Sequence, residues 1–200
     1  MIKLYFAPRT RSVRILWLLE ELGLPYELER VEFLPPARRF FAQDTPTGKL
    51  PTIVDGDVVM CESGAIVEYV LERYGEGRLA PPVGSPERGA FLQWMHFAES
   101  TAFPPLGIVV WLSLYRQDPD PDLLADARER AALGLDHLER ELAGRSYLVG
   151  DEFTAADVMT GFTLGAARLL GVLDERHPNL GAYLSRLEAR PAFQKALAVE

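Results

Sequence analysis

A short apolar run, Lys3-Leu4-Tyr5-Phe6, predicts a strand that Ala7-Pro8 ends. From Ser12 the spacing changes: Ile15, Leu18, Leu19 and Leu22 recur at i, i+3, i+4 and i+7, the stripe of a helix over Ser12–Leu22, with Glu20 and Glu21 placed to reach solvent. Gly23 and then Pro25 stop that helix. Tyr26, Leu28 and Val31, interspersed with charged residues, predict a strand over 26–31, so the opening is a β-α-β unit. Pro35-Pro36 precedes a short helix expected at 37–42, and Thr45-Pro46-Thr47-Gly48 reads as a loop. Strands over 52–54 and Val58–Cys61 flank Asp55-Gly56-Asp57, a hairpin signal. Ile66, Val67, Val70, Leu71 and Tyr74 then give helical spacing over Ser63–Tyr74.

The order β-α-β, α, β-β-α is that of a thioredoxin-like α+β domain, expected over 1–76. Pro81-Pro82 and Gly84-Ser85-Pro86 give 77–86 the composition of a linker. An all-α domain is expected over 87–200. Its helical patterns cover 87–117, with a kink or break at Pro104-Pro105, then 122–142, 154–170, 180–188 and 192–198. Thr154 and Asp157 have the spacing of a capping box, a structural role.

With 48% hydrophobic residues in 200, the chain packs cores without covalent staples. Cys61 is the only cysteine, which excludes an internal disulfide and any two-cysteine redox or zinc motif; a small buried side chain is the expected role. His137 and His177 lack metal-ligand partners at useful spacing, so no metal is expected. A net charge of −8 argues against nucleic acid as a partner, yet Lys3, Arg9, Arg11, Arg14, Arg38, Arg39 and Lys49 bias the first fifty residues positive, which suits a small anionic ligand. No uninterrupted apolar stretch approaches the roughly 20 residues of a membrane span, and the first residues lack the pattern of a signal peptide, so a cytoplasmic protein without membrane contact is expected.

Three segments carry candidate chemistry. In Lys49-Leu50-Pro51-Thr52-Ile53, a proline directly before a strand is open to the cis form, and a cis turn leaves the Leu50 backbone available to an extended peptide; the alternative is a proline that merely starts a strand. In Glu62-Ser63-Gly64, helix-start amides suit a carboxylate and the Glu62 side chain suits an ammonium, against ordinary N-capping by Ser63. In Arg9-Thr10-Arg11-Ser12, hydroxyls at the positive end of a helix dipole favour an anion such as a thiolate, against simple capping by Thr10 or Ser12.

Taken with Leu4-Tyr5-Phe6-Ala7-Pro8, Arg11-Ser12-Val13-Arg14, the run 19–26 and Phe153-Thr154-Ala155-Ala156-Asp157, these segments resemble the cytosolic glutathione S-transferase family, especially a branch found in bacteria and fungi. The resemblance spans nearly the whole chain. It implies that Leu50, with Pro51, pairs with the cysteinyl part of glutathione, that Glu62 and Ser63 hold the γ-glutamyl head, and that Lys49 reaches the glycyl carboxylate. Thr10 best matches the serine of the hydroxyl-using classes, with Ser12 second. Arg11, a further glutathione-binding candidate, stands about where other classes carry a catalytic cysteine, so a mixed disulfide through that residue is excluded.

The resemblance further implies an enzyme that conjugates glutathione to hydrophobic electrophiles or reduces peroxides with it, with detoxification as the setting. Glutathione is then the co-substrate and no permanent cofactor is required. A homodimer is expected, with the helices beginning near Ser63 and Glu87 at its interface. The second substrate is expected where the two domains meet, near His96, Phe103 and Trp111, with Glu99 and Tyr115 close by. Alternatives are a non-catalytic glutathione-binding protein of the same fold, or a glutathione-dependent isomerase or dehalogenase.

Overall fold

The computed structural model describes residues 1–32 and 45–199; the helix expected at 37–42 lies outside them. The chain divides into two compact units, Met1–Leu79 with Glu188–Glu200, and Ala80–Leu187.

In the first unit β1 (Ile2–Phe6) lies parallel to β2 (Tyr26–Arg30) and antiparallel to β3 (Thr52–Asp55), which pairs antiparallel with β4 (Val58–Cys61) in the order β2-β1-β3-β4. Leu4 stands opposite Ile53 in register, and both are fully buried. Helices α1 (Ser12–Leu22) and α2 (Ser63–Tyr74) bury Ile15, Leu16, Leu18, Leu19, Ile66, Val67 and Val70 in the same unit. Burying each such side chain contributes about 1.5–3 kcal/mol. Gly23 ends α1 in the left-handed region at φ 65°, and the Gly23 and Leu24 amides donate to the carbonyls of Glu20 and Leu19.

Two expectations change here. Glu20 and Glu21 do not point into solvent, and the last helix, α8 (Pro191–Leu197), belongs to the first unit rather than to the helical domain. The causes are linked. Phe193 meets the Trp17 ring edge-on at 4.5 Å, Trp17 Nε1 donates to Glu21 at 2.8 Å, Arg190 grips Glu21, and Lys195 reaches Glu20 at 3.3 Å. With α8 laid over it, α1 is buried nearly all round instead of along one stripe.

The second unit is helical: α3 (Pro86–Phe97), α4 (Phe103–Tyr115), α5 (Pro121–Glu141), α6 (Ala155–Leu169) and α7 (Pro178–Glu188). The expected interruption at Pro104-Pro105 takes the form of a π-helical turn, Ala98–Ala102, just before the prolines. Two successive residues without N–H cannot complete the i→i−4 ladder, and a wider turn accommodates the gap. The resulting 30-residue run, Pro86–Tyr115, is long and apolar enough to pass a length-and-composition test for a membrane span, a departure from the sequence reading. Phe91, Trp94, Met95, Leu106, Val109 and Leu112 of this run are buried inside the unit, while Ile108, Trp111, Leu114 and Tyr115 are exposed. Asp157, fully buried at the start of α6, completes the expected capping box with Thr154 and also accepts from the Leu148 amide at 3.1 Å and the Tyr183 hydroxyl at 2.6 Å.

Candidate functional site

The Leu50-Pro51 peptide bond is cis. Leu50 is buried against Ala7, with Tyr5 and Val31 packed alongside, and the Thr52 hydroxyl donates to the Lys49 carbonyl at 3.3 Å. Because β3 and β4 pair Thr52 with Cys61, the residues just before β3 and just after β4 are brought side by side. There they form an open groove whose wall holds Lys49, Leu50, Pro51, Glu62 and Ser63, with Arg11 from the start of α1, and also Thr47 and Cys61. All six residues expected to bind the peptide therefore share one surface.

Glu62 has φ 72° and ψ 107°, a conformation that costs a side-chain-bearing residue about 1–3 kcal/mol. Its carbonyl accepts the first bond of α2 from the Ile66 amide at 2.9 Å, while its exposed side chain makes no capping bond. Glu62, not Ser63, is thus the N-cap residue. Ser63 is the first residue of the helix, 3% exposed, and its hydroxyl accepts from Arg14 Nη1 at 3.0 Å.

Thr10 and Ser12 are not in the wall of the groove, though Arg11 between them is. Ser12 is fully buried, and its Oγ accepts from the Ala7 amide at 3.2 Å. Thr10 Oγ1, half-buried, lies 2.7 Å from Ser12 Oγ and accepts from the Ser12 amide at 3.3 Å. Both hydroxyls are within reach of the Ala7 carbonyl, at 2.8 Å from Thr10 and 3.1 Å from Ser12. Two hydroxyls carry two protons for these three contacts. When Ser12 donates to Thr10, the proton of Thr10 is directed to the Ala7 carbonyl or to an incoming anion. Ser12 is therefore the inner, fixed member of the pair and Thr10 the outer one.

His96, Phe103 and Trp111 lie in the second unit. His96 is exposed on α3, Phe103 stacks on Phe162 with ring centroids 6.2 Å apart, and Trp111 is 46% exposed with the Arg116 guanidinium 5.7 Å from its ring centre. The π turn between His96 and Phe103 holds an extra residue, so a separation of seven no longer stacks them on one stripe. Cys61 is half-buried in the groove wall, not in a core as expected. His177 is buried and bonds Asp136 at 3.1 Å, a packing role. No cluster of potential metal ligands occurs among the described residues.

Sequence reading placed Arg14 among the positive charges and in the run Arg11-Ser12-Val13-Arg14, with no role of its own. It is fully buried, and the signal was present in its spacing, since Arg14 shares a helix face with Trp17 and Leu18.

Residues 1–72 match the model of the glutathione S-transferase N-terminal domain, and residues 121–186 match that of the C-terminal domain. Glutathione S-transferase 3 of Schizosaccharomyces pombe is 30% identical over an alignment covering 98% of this chain and 86% of its own. The chain belongs to the glutathione S-transferase family. Within the family it is also 33% identical to glutathione S-transferase 3 of Zea mays, over 98% of this chain and 93% of the maize protein. A crystal structure of a glutathione transferase homologue from Lodderomyces elongisporus, with two glutathione molecules per subunit, superposes with a TM-score of 0.89 at 28% identity, covering 99% of this chain and 98% of that one. The family's N-terminal domain match contains every residue of the groove wall.

Proposed function

We propose that the groove binds glutathione and that Thr10 stabilises its thiolate for attack on a hydrophobic electrophile or a peroxide. The observation that carries this reading is the convergence of Arg11, Lys49, Leu50, Pro51, Glu62 and Ser63, drawn from three separate stretches of chain, on one surface. The Glu62 carboxylate would meet the γ-glutamyl ammonium. The α2 amino end with Ser63 would meet the α-carboxylate, and the Leu50 backbone the cysteinyl peptide. Lys49 and Arg11 supply positive charge for the glycyl carboxylate and the sulfur.

A free thiol with pKa of about 8.5 is only a few per cent ionised at pH 7, and lowering it by about 2 units takes about 2.7 kcal/mol. One hydroxyl donor, polarised by Ser12 and set at the positive end of the α1 dipole, supplies an effect of that size. The thiol proton passes to solvent, the thiolate forms the new bond to the electrophilic carbon, and the leaving group departs with the displaced electron pair. With a peroxide, two glutathiones are oxidised to the disulfide while the peroxide yields an alcohol and water.

Retention on immobilised glutathione, followed by turnover assays with aryl halides and organic hydroperoxides, tests the reading. Retention with turnover of either substrate supports it. Retention without turnover assigns the chain to the non-catalytic glutathione-binding alternative, and no retention overturns the proposal. A cytoplasmic homodimer is part of the same proposal, its stoichiometry open to sedimentation analysis.

A further inference from the structure

Two helices of the first unit begin at the groove, α1 beside Arg11 and α2 at Ser63. α1 has 11 residues and α2 has 12, lengths of about 16 and 18 Å, and the two pack against one another. Their carboxyl ends meet at one side chain. Arg78 Nη1 donates to the carbonyl of Leu22, the last residue of α1, at 3.2 Å, and Arg78 Nε donates to the carbonyl of Gly75, the C-cap of α2, also at 3.2 Å. The Arg78 amide donates to the same Gly75 carbonyl at 2.9 Å. Carbonyls at the end of a helix lack a partner within it, so a donor from outside completes both ends at once. The backbone is bent to bring Arg78 there. Glu76, Gly77 and Leu79 have φ of 52°, 78° and 61°, so Glu76 and Leu79 hold the left-handed conformation that side chains disfavour. Gly75 leaves no room for a side chain either, since a Cβ there would collide with the Leu71 carbonyl oxygen. A plain exit from α2 requires none of these features.

We infer that Arg78 is a positioning residue: by tying the carboxyl ends of α1 and α2 together, it fixes the spacing of their amino ends, and so the distance from a peptide seated on α2 to the hydroxyls at the start of α1. The inference rests on the groove being the glutathione site. Close-packed helices transmit displacement as rods, so freedom at one end of the pair appears as movement at the other. The head group is held at the amino end of α2 and the sulfur is met by Thr10 at the amino end of α1, so that movement falls on the contact between sulfur and hydroxyl. A misplacement of about 1 Å at a reacting centre costs on the order of 100-fold in rate. The Arg78 side chain is exposed, its bonds compete with water, and the effect of losing it is correspondingly smaller. The guanidinium suits the task because its donors lie in a rigid planar fork that serves two carbonyls at once, whereas an ammonium is a point charge on a flexible stem. A role limited to closing the turn after α2 alters stability and leaves the sulfur untouched.

The test measures the pKa of bound glutathione, from the ultraviolet absorbance of its thiolate, and the dissociation constant of glutathione by titration calorimetry, both well below the melting temperature. Arg78→Ala is expected to raise the pKa of the bound thiol by about 0.5–1 unit, roughly a three- to tenfold loss in its acidity constant, and to weaken glutathione about threefold. Arg78→Lys keeps the charge but serves one carbonyl at a time, and is expected to show about half of the pKa shift or more. An unchanged thiol pKa in Arg78→Ala, whatever its melting temperature, overturns the inference. A wild-type thiol pKa in Arg78→Lys overturns it as well, because charge alone then accounts for the effect. If Arg78→Ala does not fold, Arg78→Gln takes its place with the same expected and overturning results. Failure of the wild-type chain to bind glutathione overturns both this inference and the reading of the groove, whereas wild-type binding with a thiol pKa that stays unmoved in the Arg78 variants overturns this inference alone.

Discussion

Arg190 grips Glu21 with two nitrogens, Nε to Oε1 at 2.6 Å and Nη2 to Oε2 at 2.8 Å, across 169 positions of sequence. The carboxylate is 9% exposed, so its partner is not readily replaced by water. Arg190→Ala is expected to lower stability by about 1.5–3 kcal/mol, and Phe193→Ala, which removes the ring beneath Trp17, by about 3–5 kcal/mol. Denaturant unfolding followed by Trp fluorescence measures both. Variants that unfold like the wild type would show that α8 adds nothing to the first unit.

Thr10 and Ser12 divide their work by position. Thr10→Ala should raise the pKa of bound glutathione, read from the ultraviolet absorbance of the thiolate, and cut turnover about 100-fold with the melting temperature nearly unchanged. Ser12→Ala leaves the Ala7 amide without its Ser12 acceptor and should cost about 1–3 kcal/mol of stability with a smaller loss of turnover. The reverse pattern would make Ser12 the sulfur's donor.

At Glu62 the backbone and the side chain pull apart. Glycine adopts φ 72° without strain, so Glu62→Gly should hold or raise stability by about 1 kcal/mol while weakening glutathione at least tenfold. Glu62→Gln keeps the strain and loses only the charge, so it weakens binding without the gain in stability. A Glu62→Gly variant that is less stable yet binds normally would contradict this account.

Asp55 links the hairpin to α2. The Tyr74 hydroxyl above all, then Tyr69 and the Arg73 guanidinium, hold its carboxyl below the usual carboxylate range, against the opposing push of burial. A depressed folded-state pKa means stability that is fully present above the unfolded value of about 3.9 and is lost as pH falls through the folded one. Asp55→Asn should therefore be less stable than the wild type at pH 6, with the gap closing as the pH is lowered below about 4. Melting temperatures from pH 6 to pH 2 decide the point, and a gap of constant size would rule out the linkage.

What was readable in the sequence was local. The limits of α1 and α2, the hairpin around Gly56 and the turn at Leu50-Pro51 follow from helical spacing and from glycine and proline punctuation, all contained within a dozen residues. Lys49, Leu50, Pro51 and Ser63 of the groove lie in or beside such punctuation, whereas Arg11 and Glu62 do not. The hidden features depend on distant partners. Arg14 reads as one of several positive charges until Ser63 is placed beside it, Glu20 and Glu21 read as solvated until α8 covers them, and the burial of Ser12 beside Ala7 shows only in the fold. The π turn was legible only as a disturbance, because proline announces a missing donor without saying how the backbone will absorb the loss.

The return of α8 to the first unit also bears on how the chain is made. Synthesis runs from the amino end, so Trp17 and Glu21 leave the ribosome long before Arg190 and Phe193 exist. Through the translation of Ala80–Leu187 the first unit waits with one side of its first helix not yet covered by α8, and that side carries Trp17 beside Glu20 and Glu21. The nascent protein thus acquires its helical unit before its glutathione-family unit is closed, and the interval between the two is when it is most exposed to chaperones and to aggregation.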